Sequence, residues 1–443
     1  MKSILYRIGM LFSWMIIFNY YLLSKWFDFN FYIYIFMMLF IVFMGSMIML
    51  NVDKTFPKKI IRVDKGSQLL ILFTYSLYLE IIITGIYIFT QDVLDWNILL
   101  THFIGVLILG NIIFWSGMIR VYIYSVQLGF KWRILGFLCG WIPFINLIVL
   151  FKIIKLTRNE VKFEKENYLT NTSRAHDAVC QTKYPIILIH GVFFRDSNLF
   201  NYWGRIPEQL KQNGATVFYG EHESASSIEE SGLEIAKRIK VIVNETGCEK
   251  VNIIAHSKGG LDCRYALSNT EAKDYVASLT TVNTPHNGCL FADYLLEKIS
   301  PKIQNFIANK YNAAATRLGD KKPDFMKAVI GLTSKSCEQF NQHVLDMSTV
   351  FYQSIGSKMN HASSGRFPLN IMYPLVKHFD GQNDGLVAAN SMEWGDEFKF
   401  VTTPKGRGIS HADIIDLNRE NISHFNVREF YVEIVHDLKL RGF

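Results

Sequence analysis

The chain has 443 residues, room for two domains and a sizeable core, and half of its residues are hydrophobic. Its formal net charge of +7 sits entirely in the first third: residues 1–155 carry 13 Lys/Arg against 6 Asp/Glu, and the remainder carries 33 of each. A positive excess beside apolar runs argues against a nucleic-acid-binding face and for the charge bias of loops flanking a membrane. The six cysteines show no paired spacing, which argues against a zinc site or a disulfide framework and for free thiols in a reducing compartment.

Five apolar runs fill residues 1–155. Ile4–Leu23 holds only Arg7, Phe31–Leu50 no charge, Gln68–Thr90 only Glu80, and Asn97–Ile119 none. Ile134–Phe151 is uncharged but broken by Gly136, Gly140 and Pro143. A bilayer-spanning helix needs about 20 such residues, so the region is expected to be an all-α transmembrane module of four to five segments. The first run lacks the small-x-small pattern of a cleavable signal peptide. The basic loops 51–67 and 120–133 are expected on the cytoplasmic side and the acidic loop 91–96 outside. If the fifth run is re-entrant, the remainder of the chain stays cytoplasmic, as Lys152, Lys155 and Arg158 favour; a full crossing puts it outside. Glu80 reads as a protonated or interhelix-bonded carboxyl rather than as a relay, because no second intramembrane charge accompanies it.

Residues 156–183 turn polar and charged and read as a linker. From Tyr184 the pattern changes to alternation. Tyr184–His190 is an apolar strand ending in His-Gly, Trp203–Gln212 a helix, Ala215–Tyr219 a strand and Ile228–Glu245 an amphipathic helix. Val251–Ala255 is a buried strand that stops at His256-Ser257-Lys258-Gly259-Gly260, after which Leu261, Tyr265 and Ala266 recur at helical spacing. Ala277–Asn283 is a further buried strand, and residues 290–345 are mostly helical in pattern. Such alternation predicts a parallel sheet covered by helices on both faces.

A strand that turns sharply into a helix at a serine needs small residues two before and two after it, because the tight turn brings those backbones together. Ala255 and Gly259 supply them, with Ala255 where the usual motif has glycine. The turn lifts the Ser257 hydroxyl above the sheet and aims the Lys258 N–H at the same point. A serine that merely caps a helix gives the same local pattern. The His-Gly dipeptide one β-α-β-α unit earlier provides a second donor, the N–H of Val192.

Together YPIILIHGV, NYWGRIP, KVNIIAHSKGGLDCRY and SLTTVNTPHNG stand in an order and spacing that resembles the bacterial triacylglycerol lipases, over about residues 184–440. The membrane region has no counterpart in the secreted members of that family. The resemblance implies an α/β-hydrolase domain over 184–443 with a mostly parallel sheet, acylglycerol substrates, no required cofactor, and a mobile lid over about 290–345. Phe291, Tyr294, Leu295, Ile299, Ile303 and Phe306 would form the lid's apolar face, although an ordinary cap helix gives the same pattern.

A serine hydroxyl becomes a useful nucleophile only when a histidine takes its proton and an acid fixes that histidine's tautomer. In this fold they come after the serine in the order acid, then histidine. GQNDGLVAANSMEWG, expected to come after a strand, presents Asp384 in the Asn-Asp-Gly-Leu-Val pattern of the similar lipases, and GISHADIIDLNR presents His411 in their His-x-acid setting. Asp380 lacks the following Gly-Leu-Val, His424 and His436 lie further along, and the His256 side chain should point away from Ser257. Asp413 matches a calcium-ligand position of some similar lipases and Asn418 could be a second, but the pattern is incomplete and a solvated acid is the plainer reading.

The sequence therefore predicts a multi-pass, membrane-anchored serine ester hydrolase acting on lipid or acyl esters, with Ser257, Asp384 and His411 as triad and Val192 and Lys258 as oxyanion donors. Two other readings remain open: a phospholipase or lipid acyltransferase using the same triad, and a membrane sensor or scaffold with an idle hydrolase fold. The sequence names no protein partner.

Overall fold

The computed structural model describes all residues except Met1, Asn51, Pro143, 193–200 and Lys405, together with all side chains of those residues except Lys2, Ser3, Ile4, Leu295 and Leu318. Pro143, one of the expected breaks in the fifth apolar run, therefore lies outside the described residues, as does the side chain of Leu295. The chain divides into two compact units, Met1–Thr170 and Asn171–Phe443.

In the first unit apolar sequence folds as helices because each backbone polar group is then satisfied within its own segment. These are α1 (Lys2–Trp26), α2 (Ile33–Ile48), α3 (Lys58–Thr90), α4 (Trp96–Tyr124), α5 (Gly129–Cys139) and α6 (Ile145–Ser173). Trp14, Phe43, Leu69 and Ile113 pack between the first four, while Ile81, Ile86, Phe103 and Leu107 remain exposed. Among the described residues two helices, α3 and α4, are long and apolar enough to cross a membrane by length and composition. The run Phe31–Leu50 yields the shorter α2, and the fifth run is not one helix, since α5 ends at Cys139 and α6 begins at Ile145.

Glu80 is an interhelix-bonded carboxyl, as its sequence context suggests: Asn19 Nδ2 of α1 donates to its Oε1 at 2.7 Å, and His102 Nε2 lies 3.7 Å from its Oε2. A charge count that treats histidine as neutral passes over His102, on α4, although it faces the acid on α3. The charged stretch expected as a linker is helical through Ser173. Its charges are paired in part: Arg158 and Lys165 reach Asp64 at 2.9 and 2.5 Å, and Glu160 accepts from Val126 N at 2.8 Å, whereas Lys162 and Glu166 stay exposed.

The second unit is built on six parallel strands, β1 (Ile186–Ile189), β2 (Val217–Tyr219), β3 (Val251–His256), β4 (Val276–Val282), β5 (Phe351–Ser357) and β6 (Glu397–Val401), in the order β2-β1-β3-β4-β5-β6. A parallel sheet must be covered on both faces, and alternate residues divide accordingly. Ile186, Leu188 and Ile254 pack with Trp203, Tyr431 and Val435 beneath α7 (Ile206–Gln212) and α15 (Val427–Leu440). Ile187, Ile189 and Ile253 pack with Ile235, Ile239 and Leu267 beneath α8 (Ile228–Thr246) and α9 (Lys258–Asn269). Residues 290–345 supply α10 (Leu290–Lys298), α11 (Pro301–Leu318), α12 (Phe325–Ile330) and α13 (Ser334–His343).

The first helix of this unit begins three residues later than its apolar pattern suggests, at Ile206. Arg205 is held by Asp416 through both its backbone N–H and its guanidinium, each at 2.8 Å, which fixes the preceding turn. The stretch before GQND is a helix, α14 (Leu369–Asp380), and not a strand; Leu369, Tyr373 and Val376 are its buried face. All six cysteines are free, and burial pushes the Cys180 and Cys337 thiols up to about 12, so neither is a ready nucleophile.

The start of α8 carries a capping box, Ser227 with Glu230, and its end a left-handed Gly247. Replacing Ser227 by alanine is expected to lower the stability of this unit by about 1 kcal/mol, measured as a fall in the midpoint of chemical denaturation of the detergent-solubilised chain.

Candidate active site

The centre of the sheet leads directly into the candidate nucleophile. β3 is buried along its whole length, and a single residue separates its end from the start of α9. Between them Ser257 has φ 56° and ψ −133°, a conformation in which a side chain is strained. Surrounding close packing holds it there. Ser257 N donates to Val282 O at 2.9 Å, and Gly260 N to Ser257 O at 3.1 Å. A Cβ on Gly259 would stand 2.4 Å from His190 O, and one on Gly260 2.2 Å from Thr284 Oγ1, so neither position admits a side chain without a shift. Ala255, buried in the register between Ile189 and Thr281, fits the other small-residue position.

Asp384 lies on a turn after α14 and is fully buried. Its Oδ1 accepts from Leu386 N and Val387 N at 2.9 and 2.8 Å, and its Oδ2 from Asn283 Nδ2 and His411 Nδ1, each at 2.6 Å. His411 is tied to Asp384 twice, because its backbone N–H also donates to the Asp384 carbonyl at 2.9 Å. With Nδ1 donating to the carboxylate, Nε2 is left as the basic nitrogen. Among the described residues no hydrogen bond joins Ser257 Oγ to His411; such bonds are often long before substrate arrives and tighten in the reactive complex. His256, the residue before the serine, has its ring centroid 4.4 Å from that of His411.

The two neighbouring imidazoles are set apart by their surroundings. His256 points away from the hydroxyl, as expected, into a bond of 2.6 Å with Tyr202, whose oxygen also accepts from Gly191 N at 3.1 Å. Burial, and then the adjoining His411, push His256 well below the ordinary histidine range, so it remains neutral. Asn283 and Tyr202 are site residues that sequence reasoning passes over. Both lie inside the motifs that carry the resemblance, at the end of β4 and in NYWGRIP, but their bonds span distant segments that spacing does not reveal.

Val192 is buried beside Ser257, and the two share the wall of an apolar cavity of about 250 Å³ with Phe291, Leu296, Ile299 and Ile307. Of the expected lid face, Phe291 and Ile299 line this cavity, whereas Ile303 and Phe306 are exposed. The Lys258 side chain is buried and bonds Asp262 and Ser231.

The other candidates have different work. Asp380 caps α10 by accepting from Leu290 and Phe291 N at 3.2 and 3.1 Å, and His436 bonds the Val179 carbonyl at 2.9 Å. Asp413 is not a solvated acid. It is 3% exposed and accepts from Arg407 and from Ser410 Oγ, both at 2.6 Å. A guanidinium thus occupies the place a calcium ion would need, and Asn418 is only half-buried. The donor set does not fit calcium, and among the described residues no group of three or more His, Cys, Asp or Glu is arranged to hold a metal.

The profile of the alpha/beta hydrolase fold matches residues 184–366. The chain is 29% identical over 262 residues to triacylglycerol lipase 2 of Saccharomyces cerevisiae, covering 55% of this chain and 74% of the yeast protein. It is 30% identical over 237 residues to a triacylglycerol lipase of Vibrio cholerae, covering 48% of this chain and 75% of that one. The crystal structure of the Bacillus licheniformis lipase BlEst2 in mature form superposes with a TM-score of 0.42 and 22% identity, covering 57% of this chain and 92% of the other.

The contact at Gly259 makes a direct prediction. Gly259→Ala is expected to cost about 1–3 kcal/mol by driving a methyl group into the His190 carbonyl, seen as a lower thermal midpoint.

Proposed function

This chain belongs to the triacylglycerol lipase family of α/β hydrolases, and from that premise we propose that it is a serine ester hydrolase acting on acylglycerols or related lipid esters. The observation that carries the reading is the doubly tied Asp384–His411 pair, at the strand ends that also carry the strained Ser257. The apolar cavity at Ser257 supports a long-chain acyl group rather than a polar substrate.

In the first half-reaction Ser257 Oγ attacks the ester carbonyl carbon as His411 Nε2 takes the hydroxyl proton. The carbonyl electron pair moves onto oxygen, where the Val192 and Lys258 N–H groups hold it, and Asp384 stabilises the imidazolium. Collapse of the tetrahedral species breaks the bond to the alcohol, which leaves with the proton from His411. Water then enters, gives its proton to His411, attacks the acyl-serine carbonyl and releases the acid, returning the proton to Ser257. No cofactor enters either half.

The two long apolar helices support membrane anchoring. We read the N-terminal unit as a multi-pass anchor with the basic segments 51–67 and 120–133, which include the start of α3, the end of α4 and the start of α5, cytoplasmic, and the hydrolase on that same side. An anchored site meets bilayer lipids at high effective concentration, so it need not extract them from dilute solution.

A fluorophosphonate probe is expected to label the wild-type chain at Ser257, and Ser257→Ala to lose both the label and hydrolysis of emulsified triacylglycerol. Asp384→Asn, which leaves the fold and corrupts the tautomer, is expected to lower kcat by about 10⁴. Full activity in either variant sinks the assignment.

A further inference from the structure

Two peptide planes carry the candidate oxyanion donors, and each is held from behind. The Val192 N–H belongs to the Gly191–Val192 peptide, whose carbonyl accepts from His190 Nδ1 at 2.9 Å. The Lys258 N–H belongs to the Ser257–Lys258 peptide, whose carbonyl accepts from Gly260 N at 3.1 Å. A planar trans peptide points its N–H opposite to its C=O, so fixing the carbonyl aims the donor.

Behind these planes runs a chain of buried side chains. Lys258 Nζ lies 2.7 Å from Asp262 Oδ1, one turn along α9, and 3.1 Å from Ser231 Oγ on α8. Asp262 Oδ2 faces His222 Nε2 at 4.0 Å. The His222 ring stacks on that of His190, with centroids 4.0 Å apart and planes 10° from parallel. The chain therefore starts at the residue carrying one donor and ends at the carbonyl of the peptide carrying the other. Lys258 and Asp262 are each 1% exposed. A buried ion pair is a weak source of stability, since apolar residues of similar volume often replace one without loss. Its place behind both donors gives it a different use.

We propose that the Lys258–Asp262 pair, together with His222 and His190, is a positioning network that holds the two oxyanion N–H groups in register. The proposal rests on the reading of Ser257 as nucleophile. Asp262, His222 and His190 do not touch the reacting atoms; they act through the two peptide planes.

The groups facing Asp262 are Lys258 on its own helix, His222 from the loop after β2, and Glu229 from α8, while Ser231 of α8 accepts from Lys258 Nζ. Burial pushes the Asp262 carboxyl up to about 7 against the pull of the Lys258 charge, and Glu229 adds to the rise. The network is charged above that point. As pH falls through it the carboxylate takes a proton, and its charge pairing with Lys258 is lost.

The test uses the full chain in detergent with a p-nitrophenyl ester. The Lys258→Met/Asp262→Leu double variant keeps the volume and leaves no unpaired buried charge. It is expected to unfold at or above the wild-type temperature and to keep KM within twofold, while kcat falls about 10–10²-fold. In the wild type kcat is expected to show an added step down of about 10–10²-fold on its acid limb as pH falls through about 7, where Asp262 takes up a proton. In Asp262→Asn that step is expected to be absent. A folded double variant with kcat within twofold of wild type overturns the proposal, as does an acid limb that Asp262→Asn leaves unchanged. A double variant that does not fold also overturns it, by assigning the pair to folding. Failure of the underlying reading shows separately, as a wild-type chain with no esterase activity.

Discussion

The hydrolase unit is organised around one non-glycine residue held at positive φ. A conformation like that of Ser257 costs of order 1–3 kcal/mol and persists only where the surroundings over-determine it. Here β3 is paired on both sides, to β1 and β4, and the Ser257 N–H continues the ladder by donating to Val282 O. The reversal from strand to helix takes a single residue, so the hydroxyl is left at the carboxyl end of the sheet. In a parallel sheet all strands end on that side, which is why sites form there. Asn283 comes directly after β4, Asp384 lies beyond β5, and His411 comes after β6. Three segments far apart in sequence converge because one topology ends them all at one edge.

Convergence alone does not assign roles; the local environment does. His256 and His411 lie ring against ring. One is buried, bonded to Tyr202 and pushed well down in pKa, and it works as a neutral scaffold. The other has a carboxylate on Nδ1 and is suited to accept a proton. The loop that presents it is fixed by Asp413, which Arg407 and Ser410 satisfy, and Arg407 in turn bonds Glu420 at 2.6 Å. An acid that sequence places in solvent or on calcium is thus a strut of the histidine loop.

Local patterns are legible in this sequence and long-range pairing is not. The apolar runs of β1, β3 and β4 and the small residues around Ser257 are consequences of burial and close approach, and both leave marks at fixed spacing. The α/β-hydrolase fold with its parallel sheet can be read from those marks. Glu80 with His102, Arg158 with Asp64, and Arg407 with Asp413 are pairings across turns and helices, and nothing in the spacing announces them. Sequence therefore misleads about charge in one direction. A stretch such as 156–173 reads as solvated linker because its polar groups have no partner nearby in sequence, yet Arg158, Glu160 and Lys165 find partners within the bundle. The inward turn of Lys258 is hidden for the same reason, since a lysine after a turn serine is ordinarily a surface residue.

The cavity at Ser257 and the buried charges behind it answer to one physical demand. An apolar wall excludes water and strengthens whatever field the two N–H donors exert on a developing oxyanion. It also removes the solvent that would otherwise soften a misaimed donor, so the gain exists only if both peptide planes are fixed beforehand. Hydrogen bonds to their carbonyls fix them, and those bonds need rigid partners on the far side. Aliphatic packing holds shape but does not orient a dipole, whereas an ion pair one helical turn long and a stacked pair of imidazoles do both. A site that binds a greasy acyl chain in front is thereby best served by polar, directional contacts at its back. On the proposed positioning role, the costs of burying Lys258 and Asp262 belong to the accuracy of the donors and not to the stability of the fold.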